Sequence, residues 1–285
     1  MSAPAPRAQP ARELAPRPGK PCNCSALAEL VDYVSDRLPG LEPQGGEPMF
    51  SARSGRLYLR GDRVEAAVGP FTLSSLGRRI VAAGEPSHTR AWSSSLQIRS
   101  RTGSEITDET LIRLQTTDTA AVAMDRLFRT LHMLNHLACA REDEDLWLPI
   151  SLRHLLAVAQ DHGAFFEDLL RRCGLGPARI VLVLQLPALR GEDSAHLLTA
   201  VQAYRARGFR LALALFGLVD QAQLALIDSL APCALKLHPR DLAITRQRAP
   251  RIPVLLSPAD GTATATLGPA DLLELEQLPP PAFLI

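Results

Sequence analysis

The sequence predicts an α/β protein built on a (β/α)8 barrel, and three observations carry that expectation. Apolar, strand-sized runs alternate with stretches of helical period from residue 76 onward. The middle runs, RIVLVLQL (179–186) and FRLALALF (209–216), are apolar at consecutive positions, as parallel strands covered on both faces require. The alternation extends over roughly two hundred residues, a length that suits either an open doubly wound sheet or a closed barrel. No G-x-G-x-x-G follows the first strand and no P-loop lysine is present, which weighs against the nucleotide-binding sheets and favours the barrel, with an open sheet as the alternative.

The elements follow in order. The first twenty residues, MSAPAPRAQPARELAPRPGK, carry Arg and Pro without an apolar stretch, so 1–24 is expected to be a disordered, mildly basic tail and no secretory signal. SALAELVDYVSDRLPG (25–40) sets Leu27, Leu30, Val31, Val34 and Leu38 on one helical face, with Ser25 as N-cap and Pro39-Gly40 as the stop. That apolar face must be covered by this chain, by a partner or by self-association. RLYLRGDRVEAAV (56–68) predicts two strands about Gly61-Asp62, and the hairpin turn explains its Arg-Gly-Asp without an integrin-type ligand. The helix and hairpin form an extension over 25–75.

The barrel is expected over 76–285. Its candidate strands are 76–83, 92–99, 145–151, 179–186, 209–216, 233–238 and 252–257, and its candidate helices 117–138, 163–174, 195–208 and 221–231. PADLLELEQL (269–278), with Pro269 at its first position, predicts one more helix, and PPPAFLI (279–285) a last strand.

Composition excludes several classes of function. With 31 Lys+Arg against 30 Asp+Glu the chain has a formal charge of +1, too balanced for a protein organised around a phosphate backbone, so no nucleic acid is expected. No run approaches the roughly 20 apolar residues of a bilayer span, and a soluble, cytoplasmic protein without membrane contact follows as the expectation. Five cysteines at irregular spacing disfavour a disulfide framework, and Cys22-Asn-Cys24 offers at most two thiolates to a metal. His132 and His136 stand at ligand spacing on a predicted helix, without a third ligand nearby in sequence. Ser151 and His154 are close together but lack an Asp partner and a nucleophile elbow, so serine-hydrolase chemistry is not expected. No metal and no cofactor is predicted. Lysine occurs only as Lys20 and Lys236.

The order of motifs resembles the EAL-domain family, the bacterial phosphodiesterases of cyclic di-GMP. LWLPISLRHLL (146–156) is similar to that family's N-x-S strand and following helix, and RIVLVLQLPAL (179–189) to its L-E-I-T-E-S strand. YRARGFRLALALFG (204–217) is similar to the segment ending in D-D-F-G, and CALKLH (233–238) to the L-K-I-D strand. Upstream, SLQIRSRTG (95–103) stands where E-A-L-x-R would fall, and EITDETL (105–111) resembles the segment after it. The likeness covers about 76–257. It implies an EAL-like (β/α)8 barrel, shortened at its C-terminus, and the family's chemistry implies two Mg²⁺ or Mn²⁺ ions held by carboxylates and an Asn, with a Lys positioning the attacking water.

Residue by residue, that implied site is erased. The signature Glu falls on Ser95, the Asn on Pro149, the two Glu of the L-E-I-T-E strand on Val183 and Leu186, and the Asp pair on Ala214 and Leu215. The Asp of K-I-D falls on His238 and the later Glu near Ser257, whereas Arg99, Ser151, Phe216, Gly217 and Lys236 match. Apolar side chains cannot hold hard cations, which take oxygen ligands. The resemblance therefore implies a catalytically inactive, degenerate domain acting as a protein-interaction or regulatory module in bacterial signalling, with another protein as partner or as a homo-oligomer. The alternative is a non-catalytic cyclic di-GMP receptor, with Arg99 and Lys236 as candidate ligand contacts; residual phosphodiesterase activity ranks last. Lys236 is expected to be a relic that snorkels or pairs with a local acid.

Overall fold

The computed structural model describes residues 24–36, 38, 56–107, 111, 115, 117–141, 143–185, 191–215, 221–257, 267–268 and 271–275. Helix α1 (Cys24–Ser35) leads into a hairpin of β1 (Arg56–Arg60) and β2 (Arg63–Val68), turned at Gly61, whose φ of 65° lies in the region that glycine tolerates. Two long antiparallel strands follow, β3 (Phe71–Ala82) and β4 (Glu85–Ser100), and then the short β5 (Glu105–Ile106). From there strands and helices alternate: α2 (Asp118–Cys139), β6 (Asp145–Ile150), α3 (Leu152–Ala157), α4 (Ala164–Arg172), β7 (Ile180–Gln185) and α5 (Gly191–Ala206). They continue with β8 (Arg210–Ala214), α6 (Gln221–Leu230), β9 (Ala234–Leu237), α7 (Leu242–Arg248), β10 (Val254–Leu256) and β11 (Leu272–Glu274).

Eight of the strands close into a barrel in the order β3-β11-β10-β9-β8-β7-β6-β4, with β4 pairing back onto β3. All neighbours in the ring are parallel except β3, which runs antiparallel to β4 and to β11. The expected barrel is present. Its β3 and β4 are longer than the apolar runs suggested, because hydrogen bonding carries them through polar Ser and Thr positions into an extension bearing β2, β1 and β5.

Alternation along the strands sorts the apolar residues into two cores. One cluster holds Ile80, Ala91, Trp147, Val181, Ala212, Ala234 and Leu255, with Leu272 packed against it: one residue from each barrel strand, filling the lumen. The bulky Trp147 is accommodated by three alanines in that ring. Their neighbours, such as Leu146, Leu182, Leu213, Leu235 and Leu256, point outward into the main core beneath the helices. Gly77 marks a close approach: a Cβ there would stand 3.1 Å from the Trp92 ring, whose Nε1 donates to Glu144 at 2.8 Å.

One expectation is corrected. Of the helix expected over 269–278, the described residues 271–275 are not helical, because Leu272–Glu274 is the closing strand, parallel to β10 and antiparallel to β3. LLELEQL satisfies helical spacing on paper, but three alternating residues suffice for a strand when both edges are already waiting. Of the covers expected for the apolar face of α1, this chain supplies one: Leu27, Val31, Val34 and Leu38 are buried in the same core as Leu57 and Val64 of the hairpin. The 279–285 strand, Cys22, Leu186, Phe216 and Gly217 lie outside the described residues. No helix among the described residues is long and apolar enough to cross a membrane.

Candidate functional site

Two residues beyond the lumen ring, toward the C-terminal ends of the parallel strands, a second set of inward positions forms the barrel mouth. It consists of Arg78, Ser93, Pro149, Val183, Ala214, Lys236, Ser257 and Glu274. Lys236 dominates it. The ammonium donates to Glu274 Oε1 at 2.8 Å and to Ser93 Oγ at 3.3 Å. Since β4 lies four strands from β9 by either route round the ring, a contact from Lys236 to Ser93 spans the lumen and places Nζ near the barrel axis.

Glu274 is only 1% exposed, accepts the Ser257 hydroxyl at Oε2, and has the Arg78 guanidinium 3.7 Å away. A carboxylate this buried requires such partners, because an unpaired charge away from water costs several kcal/mol. The local acid that the sequence left unnamed for Lys236 is therefore Glu274. It escaped the sequence because the resemblance directed attention to other positions and because 269–278 read as a helix. Alternation from Leu272 would have been the only signal.

The remaining sequence-selected positions distribute as follows. Pro149, Val183 and Ala214 share the mouth with Lys236, and Ser95 stands one inward step farther out along β4 than Ser93. Leu215 turns outward into the main core, and its N–H donates to the Lys236 carbonyl at 2.9 Å. His238 is exposed, and its Nδ1 accepts from the Arg240 N–H at 3.3 Å, capping the turn Pro239–Asp241. Arg99 lies six residues from Ser93 on β4, about 20 Å along an extended strand, and pairs loosely with Glu105 at 3.9 Å. The two proposed ligand contacts, Arg99 and Lys236, thus do not adjoin.

The divalent cations that the resemblance implies do not fit these residues. Hard cations need several oxygen ligands and compensating negative charge. Among the described residues the mouth offers one carboxylate, already matched to an ammonium and a guanidinium, beside hydroxyls and alkyl groups. Among the described residues no three His, Cys, Asp or Glu side chains come together as a metal ion would need.

A second ionic cluster lies outside the barrel, between α2, α3 and α5. Arg129, 2% exposed, donates from Nε to Asp125 Oδ2 at 2.7 Å, from Nη1 to the Tyr204 hydroxyl at 3.3 Å and toward His154 Nε2 at 3.2 Å. Asp125 Oδ1 accepts the Ser151 backbone N–H at 2.8 Å and so anchors the start of α3. An Asp does therefore stand near Ser151 and His154, with Oδ2 at 3.5 Å from His154 Nδ1. The imidazole Nε2 faces Arg129 and Tyr204, however, so this is a packing network and no Ser-His-Asp relay.

Burial pushes His154 down to about 4, partly offset by Asp125, and likewise lowers His136 to about 4 and His132 to about 3. His132 meets Ser75 Oγ at 2.7 Å through Nδ1, a contact between helix and sheet.

No protein-family model matches the sequence, and no curated protein does. Solved structures do match. A standalone versatile EAL protein from Vibrio cholerae O395, in its c-di-GMP-bound form, aligns over 72% of this chain and 90% of that one, at 13% identity and a TM-score of 0.54. The FimX EAL domain from Pseudomonas aeruginosa bound to c-di-GMP aligns over 68% and 82%, at 15% identity and 0.52. The Bacillus subtilis YkuI protein, with an EAL domain, in complex with substrate c-di-GMP and calcium, aligns over 68% of this chain at 16% identity and 0.52. The chain spans about half of YkuI, 51%. What is common to all three is the barrel.

Proposed function

Starting from the EAL-like fold of this chain, we propose that the protein is a non-hydrolysing regulatory module of bacterial signalling, cytoplasmic, that acts by contact with another protein. One observation carries the first half of this reading: the buried carboxylate at the mouth, Glu274, is held by Lys236 and faces Arg78. A two-metal hydrolase needs a cluster of acids there, whereas the one carboxylate among the described mouth residues is already paired. The second half follows from fold and erasure together, since a barrel without its chemistry persists as a scaffold.

The deciding experiment is incubation of the purified chain with cyclic di-GMP and Mg²⁺ or Mn²⁺, followed by chromatography. No linear pGpG is expected, and its metal-dependent appearance would overturn the proposal. Capture of partners with and without cyclic di-GMP then tests the interaction role. A non-catalytic cyclic di-GMP receptor is the second reading, favoured by the partial exposure of Lys236 at the mouth. Calorimetric titration with the dinucleotide decides it, absence of heat removing the receptor.

A further inference from the structure

We propose that the barrel mouth is a metal-independent site for a compact terminal oxyanion, of the inorganic phosphate and phosphomonoester class, held by Arg78 and Lys236. This rests on the reading above that the mouth takes no divalent cation.

The first argument is a count of donors and acceptors. An ammonium has three N–H groups and a guanidinium five, and neither accepts. Lys236 spends one on Glu274 and one on Ser93, leaving one. Arg78 spends none within hydrogen-bond reach: its ion pair with Glu274, at 3.7 Å, is its one charged contact among the described residues. Glu274 meanwhile accepts from Lys236 on Oε1 and from Ser257 on Oε2, two of the roughly four lone-pair positions of a carboxylate. The free donors of Lys236 and Arg78 therefore outnumber the carboxylate positions left among the described residues, so the complementary ligand is one that only accepts.

The second argument is charge. Among the described residues two cations face one carboxylate, a net positive set above a dry apolar lumen, where low polarisability strengthens attraction for an anion. Access is open: Arg78 is 41% exposed, Lys236 is 23% exposed, and Pro149 and Gln185 at the rim are exposed.

The third argument is selectivity. Val183 and Ala214 on the wall carry no polar group for a nucleobase edge, so the recognisable part of the ligand is the oxyanion itself. Three terminal oxygens can meet the fork of Arg78 and the point charge of Lys236 together. A diester, with two bulky substituents, presents fewer oxygens and less charge.

The test uses the full chain in EDTA, titrated with inorganic phosphate, methyl phosphate, dimethyl phosphate and cyclic di-GMP, followed by calorimetry and ³¹P NMR. Saturable binding of phosphate and methyl phosphate is expected, with dimethyl phosphate at least tenfold weaker, and tenfold or greater weakening in Arg78→Gln. Arg78 is half exposed, so that variant folds; Lys236→Met, checked by circular dichroism, is expected to weaken binding equally. Preference between the two monoanionic-to-dianionic probes separates a free phosphate from a phosphorylated small molecule. The inference is overturned if phosphate fails to bind, if Arg78→Gln leaves its affinity unchanged, if binding vanishes in EDTA and returns with Mg²⁺, or if cyclic di-GMP binds and phosphate does not. Formation of pGpG would instead overturn the non-hydrolysing function, so the two failures are distinct.

Discussion

The barrel mouth and the helix layer outside it each hold a buried ionic network, and they are built to opposite rules. Around Arg129 the charged pair is enclosed and matched: Asp125 takes the guanidinium and a backbone N–H, and Tyr204 and His154 Nε2 meet the rest of the guanidinium, leaving only the neutral His154 Nδ1 without a hydrogen-bond partner. Around Lys236 the carboxylate is enclosed but the cations reach the opening, with donors left over. The first arrangement fixes helices against one another. The second is compatible with a visitor. Burial alone does not tell them apart; the balance of donors and acceptors does.

The largest expected effect separates the regions by pH. His132, His136 and His154 stay neutral in the fold and regain ordinary basicity, near 6.5, on unfolding. Their contribution is complete above pH 6.5 and is lost as the pH falls toward 4, by about 2 kcal/mol for each at pH 5. Urea midpoints measured from pH 7.5 to 5 should drop steeply, and less so in His154→Gln; a midpoint independent of pH would contradict the enclosed, neutral imidazoles.

Next in size is Arg129→Met, which strands Asp125 and should cost about 3–5 kcal/mol, visible as a large fall in thermal midpoint. Unchanged stability would mean that the helix-layer network is no more than a surface pair.

Lys236→Met should cost less, about 2 kcal/mol, because water reaches the mouth and Arg78 remains beside Glu274. The double change Lys236→Met with Glu274→Leu should recover most of that loss in a double-mutant cycle. If the two losses simply add, the pair is not coupled and the mouth is not the unit described.

Smallest is Arg99→Gln. Its exposed guanidinium, 3.9 Å from Glu105, should be worth under about 0.5 kcal/mol in a urea melt. A larger loss would extend the ionic mouth outward along β4.

Legibility followed the same physical divide. Strands β6 to β10 could be read because burial on both faces writes itself as consecutive Val, Leu and Ile. Residues 71–75 of β3 and 85–91 of β4 could not, since polar positions such as Thr72, Ser74 and Thr89 form strand only because partners hold them. Short α3 and α7, of 6 and 7 residues, are too brief for a periodic signal. At the mouth, Lys236 stood out as one of two lysines, and Pro149, Val183 and Ala214 could be placed by resemblance. Glu274, Arg78 and Ser93 could not, because their meeting depends on barrel closure between strands far apart in the chain.

That closure has a consequence for how the molecule is made. Leu272–Glu274 pairs with Ile80–Ala82, about 190 residues earlier. During synthesis β3 and β10 must wait with open edges until three late residues arrive, a long-range pairing of the kind that slows folding and exposes edges to mispairing. The clasp and the counter-ion arrive together: the strand that shuts the ring delivers Glu274 to Lys236. Until then the lysine in β9 has no carboxylate to meet, so a nascent chain stalled before residue 274 should carry both an open sheet and an uncompensated charge.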